Sequence, residues 1–212
     1  GLVGSGRTEI VRCIFGADQL TSGTITLNGN SVHINSPRNA IDMGIAFVTE
    51  DRKNQGLILE ESLSVNTSLA ALQKVTSLGF VNKSLEKKAA LSYIKKLHTK
   101  TSGTETSALS LSGGNQQKIV LAKWLFTDAQ IIILDEPTRG IDVGAKYELY
   151  QLINQLADAG KSILIISSEL PEIINMSDRL LVIHEGKLKG ELCGAEKTPE
   201  NIMKTAILKE EK

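Results

Sequence analysis

The chain has 212 residues, with 24 basic against 24 acidic side chains, 41% hydrophobic residues and 4% aromatic ones. That length supports one α/β domain with a real core, and the balanced charge leaves no electrostatic footprint for nucleic acid. Cys13 and Cys193 lie far apart and match no metal-ligand spacing, so they read as reduced cytosolic thiols; no apolar run can span a bilayer and nothing resembles a signal peptide, so any membrane role must come through a partner.

Gly1-Leu-Val-Gly-Ser-Gly-Arg-Thr8 opens the chain with the P-loop pattern, two glycines with four residues between them, a cation and a hydroxyl, except that Arg7 replaces lysine. Gly4 and Gly6 let backbone N–H groups close around phosphate oxygens because no Cβ obstructs them. Thr8 supplies a hydroxyl for Mg²⁺, and Glu9 to Phe15 reads as the following helix. Arg7 keeps a charge, but its planar fork is bulkier than an ammonium. Misplaced transition-state stabilisation there would cost on the order of 3 kcal/mol, roughly a hundredfold in rate, so binding survives the exchange better than turnover.

Thr24–Leu27 and Ser31–Ile34 alternate around Asn28-Gly29, which predicts a hairpin. Pro37 starts a short helix to about Met43, and Ile45–Val48 is a buried strand. From Asn66 to His98 the pattern is helical, with Leu69, Leu72, Leu85, Leu91, Ile94 and Leu97 at helical spacings. Thr99 to Ser107 is a polar loop. In Leu111-Ser-Gly-Gly-Asn-Gln-Gln-Lys118 a glycine-flanked serine opens a helix, where free N–H groups and the dipole favour a phosphate. The helix behind it runs from Gln116 to Phe126. Ile131–Leu134 is the central strand, and it delivers Asp135 to hold Mg²⁺ and Glu136 to handle an attacking water. Tyr147 to Ala157 is helical and ends at Gly160. Strands at Ser162–Ile166 and Arg179–Ile183 flank a helix begun by Pro171. Glu185-Gly186 turns into a last short strand, and the charged tail from Glu196 to Lys212 carries a short helix. Strand–helix alternation with apolar strands implies a mainly parallel sheet covered on both faces. Of the remaining residues, Cys13 reads as core and Trp124 as packing beneath the sheet. His33, His98 and His184 are scattered, and the Lys87-Lys88 and Lys95-Lys96 pairs read as solvated faces.

The P-loop, the Ser-Gly-Gly turn and the Asp-Glu strand, in that order, resemble the ATP-binding cassette (ABC) family, whose signature is LSGGQ and whose Walker B strand ends in Asp-Glu. The resemblance implies an α/β P-loop NTPase, one cassette over 1–212 with a mainly parallel sheet, a small antiparallel β-subdomain and a helical insert at about 66–126. It also implies N-terminal truncation, since the family's strand before the P-loop and its adenine-stacking aromatic residue would precede Gly1. ATP and Mg²⁺ are the implied ligands. Gly1, Gly4, Ser5, Gly6, Arg7, Thr8 and Glu9 would surround the nucleotide of this cassette, with Thr8, Glu50 and Asp135 at the metal. Ser112, Gly113, Gly114 and Asn115 would face the nucleotide of another, with Asp142 of Arg139-Gly-Ile-Asp142 reaching across the dimer. Glu136 and Ser168 are the implied catalytic pair.

Three positions depart from the family pattern: Arg7 for lysine, Glu50 for the Q-loop glutamine and Ser168 for the switch histidine. A serine offers no ring nitrogen to a γ-phosphate. All three belong to this cassette's own P-loop side, whereas the signature differs only at Asn115. That asymmetry, with Thr-Glu-Asp-Arg-Lys53 and Ser-Ser-Glu-Leu-Pro-Glu172, is similar to the C-terminal cassette of tandem ATPases that power ribose-, galactose- and xylose-type importers. The implied partners are a second cassette upstream on the same polypeptide, membrane permease subunits and, indirectly, a sugar-binding protein, with no nucleic acid. The implied location is peripheral, on the cytoplasmic face of the cell membrane. Two other readings stay open: a non-catalytic nucleotide-binding and dimerisation module, and a soluble ABC ATPase acting on ribosomes or nucleic acid, against which the neutral charge speaks.

Overall fold

The structure, a computed structural model, describes residues 4–207. In chain order the first elements are α1 (Arg7–Ile14), β1 (Ile25–Leu27), β2 (Asn30–Val32), α2 (Pro37–Asp42) and β3 (Ile45–Val48). A π-helical turn (Arg52–Gly56), α3 (Leu63–Ser68), a 3₁₀ stretch (Leu69–Val75), β4 (Thr76–Ser77), β5 (Phe80–Val81) and α4 (Lys83–Lys96) come next. Then come α5 (Gly113–Leu125), β6 (Ile131–Asp135), α6 (Val143–Asp158), β7 (Ser162–Ile166), α7 (Leu170–Met176), β8 (Arg179–His184), β9 (Lys187–Cys193) and α8 (Pro199–Ile207). Two compact units divide the chain, one from both its ends (1–40 and 165–212) and one from its middle (41–164).

In the first unit, α1 turns Val11 inward and ends on buried Phe15. Arg12 grips Asp18 with two hydrogen bonds of 2.6 and 2.7 Å, which closes the turn after the helix. That hydrogen-bonded pair holds the Asp18 carboxyl below its ordinary range and the Arg12 guanidinium above its own. β1 and β2 pair antiparallel about Asn28 and Gly29, whose φ of 51° and 80° are those of a type I′ turn. β8 and β9 form a second antiparallel ladder with an irregularity at Val182/Ile183. Ile173 of α7, Leu180 and Val182 of β8, and Ile202 and Ala206 of α8 make its core. Cys13 is half-buried rather than core, because two residues along α1 from buried Val11 it falls on the opposite face of the helix. It donates weakly to the Gln19 carbonyl, and both cysteines are free thiols.

The second unit is built on β3 and β6, paired in parallel from Ile45–Ile131 to Val48–Leu134. The sheet order is β3–β6–β7. All four β3 residues and four of the five in β6 are buried, as expected of strands covered on both faces. α5 lies against β3 and is buried nearly throughout, including Gln116, Gln117, Lys118 and Lys123.

The helical insert differs from its sequence reading. Its first helix starts at Leu63, capped by Ser62, whose Oγ accepts from the Val65 N–H. Regular helix ends at Ser68, and Ala71 (φ −144°, ψ 48°) kinks the 3₁₀ stretch beyond it. Asn66, fully buried, accepts from Ile58 N–H and donates to the Ile58, Glu61 and Ser62 carbonyls, which knits the preceding loop to α3. β4 and β5 then form a tiny hairpin through Leu78 and Gly79, both at positive φ. Leu69, Leu72, Leu85 and Leu91 are exposed, while Leu63, Ala71, Val75, Ala90 and Leu97 do the packing.

Candidate functional site

In the first unit the phosphate-type loop is described from Gly4 onward; Gly1 lies outside the described residues. Gly4 and Gly6 sit at φ 77° and 91°, conformations that side chains with a Cβ rarely take. A Cβ on Gly4 would meet no atom, so the loop is open on that side. Gly6 is the N-cap of α1 and backs against Gly186, only 3.0 Å from where its Cβ would be. The Gly186 N–H donates to the Ser5 carbonyl at 2.8 Å, so the β8–β9 turn braces the loop. Ser5 is buried and its Oγ has no hydrogen-bond partner. An open cradle, an orphan hydroxyl and a helix N-terminus together fit a phosphate.

Thr8 is the second residue of α1 and Glu9 is exposed in its first turn. Arg7 Nη1 donates to the Ser167 carbonyl at 2.6 Å, one residue before exposed Ser168. The guanidinium therefore fastens the P-loop to the loop after β7.

In the second unit, Ser112 is the exposed N-cap of α5 and its side chain caps no N–H of that helix. Asn115 donates from Nδ2 to the Ser112 Oγ at 2.9 Å and accepts the Lys100 N–H at 2.9 Å. The glycines answer to neighbours: a Cβ on Gly113 would lie 2.8 Å from Arg52 Nη2 and 3.1 Å from the Gly140 carbonyl, and one on Gly114 2.5 Å from the Ala145 Cβ. α5 and α6 thus approach too closely for a side chain. Asp142 caps α6 itself by accepting the Ala145 N–H at 2.9 Å.

Buried Asp135 ends β6, and half-buried Glu136 follows at φ 46°, a left-handed conformation uncommon for a residue with a side chain. The Glu136 carbonyl accepts from the Arg139 N–H at 3.1 Å, which opens the turn leading to Gly140 and Asp142. Glu50 is ion-paired with Arg139. Arg52 donates to the Arg139 and Gly140 carbonyls at 2.7 and 3.1 Å. The residues after β3, the signature glycines and the loop after β6 thus form one cluster.

Arg52, Arg139 and Lys118 are the members that pattern reading does not single out. Lys118, buried, donates to Glu148 at 2.6 Å and to the His98 carbonyl at 3.0 Å, and the first of these bonds holds the Glu148 carboxyl below its ordinary range. Each lies inside a motif, but motif reading credits such cations to solvent. What could have flagged the two arginines is their place beside Gly113 and Gly140.

Mg²⁺ suits hard oxygen donors, with one or two protein ligands and the rest from phosphate and water. Asp135, buried at a strand end, and the Thr8 hydroxyl are of that kind. Glu50 offers a carboxylate already neutralised by Arg139. Among the described residues no three His, Cys, Asp or Glu side chains converge as a metal cage.

The model of the ABC transporter family matches residues 1–139. A putative ribose/galactose/methyl galactoside import ATP-binding protein of Rhizobium meliloti is 49% identical over 207 residues, 98% of this chain and 41% of that protein. The ribose import ATP-binding protein RbsA of Bacillus licheniformis is 50% identical over 206 residues, 97% of this chain and 42% of that one. The chain spans about two fifths of the length of these relatives. Among solved structures, the ADP conformation of MJ1267, an ATP-binding cassette of an ABC transporter, superposes with a TM-score of 0.80 at 21% identity, over 97% of this chain and 84% of that one. At that identity the likeness establishes the fold.

Proposed function

This chain belongs to the ABC transporter family, and we propose that it is a cassette of a sugar-import ATPase whose signature completes the nucleotide site of a second cassette. The observation that carries this reading is a contrast between its two phosphate-facing loops. Arg7 spends a hydrogen bond on the Ser167 carbonyl, whereas Ser112 stands exposed, its Oγ accepting from the Asn115 amide and capping no backbone N–H of α5. A working phosphate donor must be aimed where charge develops. Ser112 meets that condition better than Arg7.

On this reading Ser112 and the N–H groups of Gly113 and Gly114 close on the γ-phosphate of ATP held by the partner's P-loop. Mg²⁺, when bound, offsets charge on the phosphate oxygens. Gly4, Ser5, Gly6 and Thr8 cradle a second nucleotide, and Glu136 has the role of the base in the family's pattern. Glu50 paired with Arg139, Ser168 in the switch position and the tethered Arg7 make that second site slow. We take 1–212 as one cassette with its helical subdomain at about 66–126, and Asp142 as the residue that reaches toward the partner cassette.

The ribose and galactoside importers named above motivate the substrate class. No helix among the described residues is long and apolar enough to cross a membrane; on this reading the cassette works with permease subunits, met from the cytoplasmic face. Leu78 and Phe80, 97% and 80% exposed on the β4–β5 hairpin of the helical insert, offer an apolar contact for them. A sugar-binding protein would act through the permease. The Arg7–Ser167 bond also favours a second reading, in which this chain's own site holds ATP only as a structural ligand.

Steady-state ATP hydrolysis by the assembled transporter tests the assignment. Glu136→Gln is expected to leave turnover within about threefold of the parent, against roughly a thousandfold loss for the same change in the partner cassette, the scale of a missing general base. Equal losses at both positions would overturn the slow-site reading. An unchanged rate together with stoichiometric nucleotide on this chain would favour the structural-ligand reading.

A further inference from the structure

The bonds around Asn115 fix which way the Ser112 hydroxyl can work. The Lys100 backbone N–H can only donate, so the amide atom facing it at 2.9 Å is the Asn115 oxygen. The nitrogen of the same amide is then the atom 2.9 Å from Ser112 Oγ. An amide nitrogen has hydrogens and no available lone pair, so Ser112 Oγ must accept. Its own proton is not used on Asn115, and the side chain caps no N–H of α5.

We propose that Asn115 is a positioning residue that sets Ser112 as a hydrogen-bond donor toward the phosphate oxygens of ATP. This rests on the reading of Ser112 given above. Phosphate oxygens only accept, so the polarity of that hydroxyl matters as much as its place. The chain of bonds runs from the Lys100 amide through Asn115 to Ser112, and Lys118 anchors the same loop by its bond to the His98 carbonyl. The loop after α4 is thereby linked to the signature hydroxyl.

That polarity gives the variants an unusual order. In Asn115→Asp both side-chain oxygens accept. One keeps the Lys100 N–H and the other takes the Ser112 proton, so the serine turns a lone pair toward the phosphate. Asn115→Ala removes the tether but leaves the hydroxyl to rotate. Measured as kcat and KM for ATP in the assembled transporter, kcat should fall about tenfold in Asn115→Ala and about a hundredfold in Asn115→Asp, the scale of losing and of reversing one oriented donor. Asn115→Gln, which keeps both a donor and an acceptor, should retain most of the rate. A residue that only tied down the loop would give the opposite order, since aspartate keeps the Lys100 bond and alanine does not.

Repeating the series in Ser112→Ala separates the causes. There the excess loss of Asn115→Asp over Asn115→Ala should vanish; if it persists, added charge alone is responsible and the inference fails. Should Asn115→Asp not fold, as judged by its melting temperature, the rates of Asn115→Ala and Asn115→Gln decide, and equal rates for these two overturn the proposal. If Ser112→Ala itself leaves kcat unchanged, the reading of the signature fails. If Ser112→Ala lowers kcat while Asn115→Asp is no worse than Asn115→Ala, only the role of Asn115 fails.

Discussion

Replacing Lys123 by methionine is expected to flatten the stability of the protein between pH 8 and pH 10.5. Lys123 lies in the last turn of α5 and is 6% exposed. Its Nζ donates to the Gly56 carbonyl at 2.6 Å and sits 5.0 Å from the centre of the Trp124 ring. Burial pushes the amine from its ordinary 10.5 down to about 8. In that window the unfolded chain carries a proton that the folded one has released, so stability rises with pH. Below pH 8 both states are protonated, and the fold bears the full cost of a buried charge, about 3 kcal/mol. Urea unfolding of both proteins across the window is the measurement. The parent should gain about 3 kcal/mol relative to Lys123→Met on going from pH 8 to pH 10.5. Tyr93, whose hydroxyl is pushed up by burial, pulls the other way at the top of the range, but equally in both proteins. Parallel curves would show that Lys123 keeps an ordinary pKa.

Gly114→Ala should impair both stability and turnover, and Ala145→Gly in the same chain should restore turnover. The new methyl would stand 2.5 Å from the Ala145 Cβ, far inside van der Waals contact. Overpacking of this kind costs about 1–3 kcal/mol, against a gain of up to about 1 kcal/mol from replacing a helical glycine. Packing wins. The first turn of α5 must lift from α6, and Ser112 moves with it. A displacement on the order of 1 Å at a phosphate donor costs about a hundredfold in rate. Ala145→Gly removes the opposing methyl and lets the helices close again. Thermal unfolding and ATP hydrolysis by the assembled transporter are the readouts, with turnover the cleaner of the two because Ala145→Gly weakens α6 on its own account. Failure of the second substitution to restore the rate would mean that glycine is required there for some reason other than helix approach.

The strands β3 and β6 could be read from the sequence because buried strands show as short apolar runs, β7 because its run is apolar although only Ile166 is buried, and the Asn28-Gly29 hairpin because few residues accept its backbone angles. The helical insert resisted reading for a physical reason. Its leucines repeat at helical spacing, yet Leu69, Leu72, Leu85 and Leu91 stay exposed, and the buried surface is made by smaller residues such as Ala71 and Ala90. Periodicity reports a stripe, not what lies against it. The β4–β5 turn carries Leu78 at φ 52°, a position where sequence rules look for asparagine or glycine. Gly6 and Ser112 cap α1 and α5, and Asp135 ends β6. The destinations of Arg7 and Asn115 could not have been foreseen, since each bonds to a backbone group far from it in sequence.

The parallel pairing of Ile45 with Ile131 also decides the order in which this chain can mature. Every element from the π-helical turn to the end of α5 lies inside the loop that this pairing closes. Loop closure grows only slowly with length, but parallel strands distant in sequence pair late. A chain growing from the ribosome will have α3 and α4 formed while β3, whose four residues are all buried in the finished fold, still waits for a partner. That waiting strand, rather than any loop of the finished protein, is where aggregation during synthesis should begin.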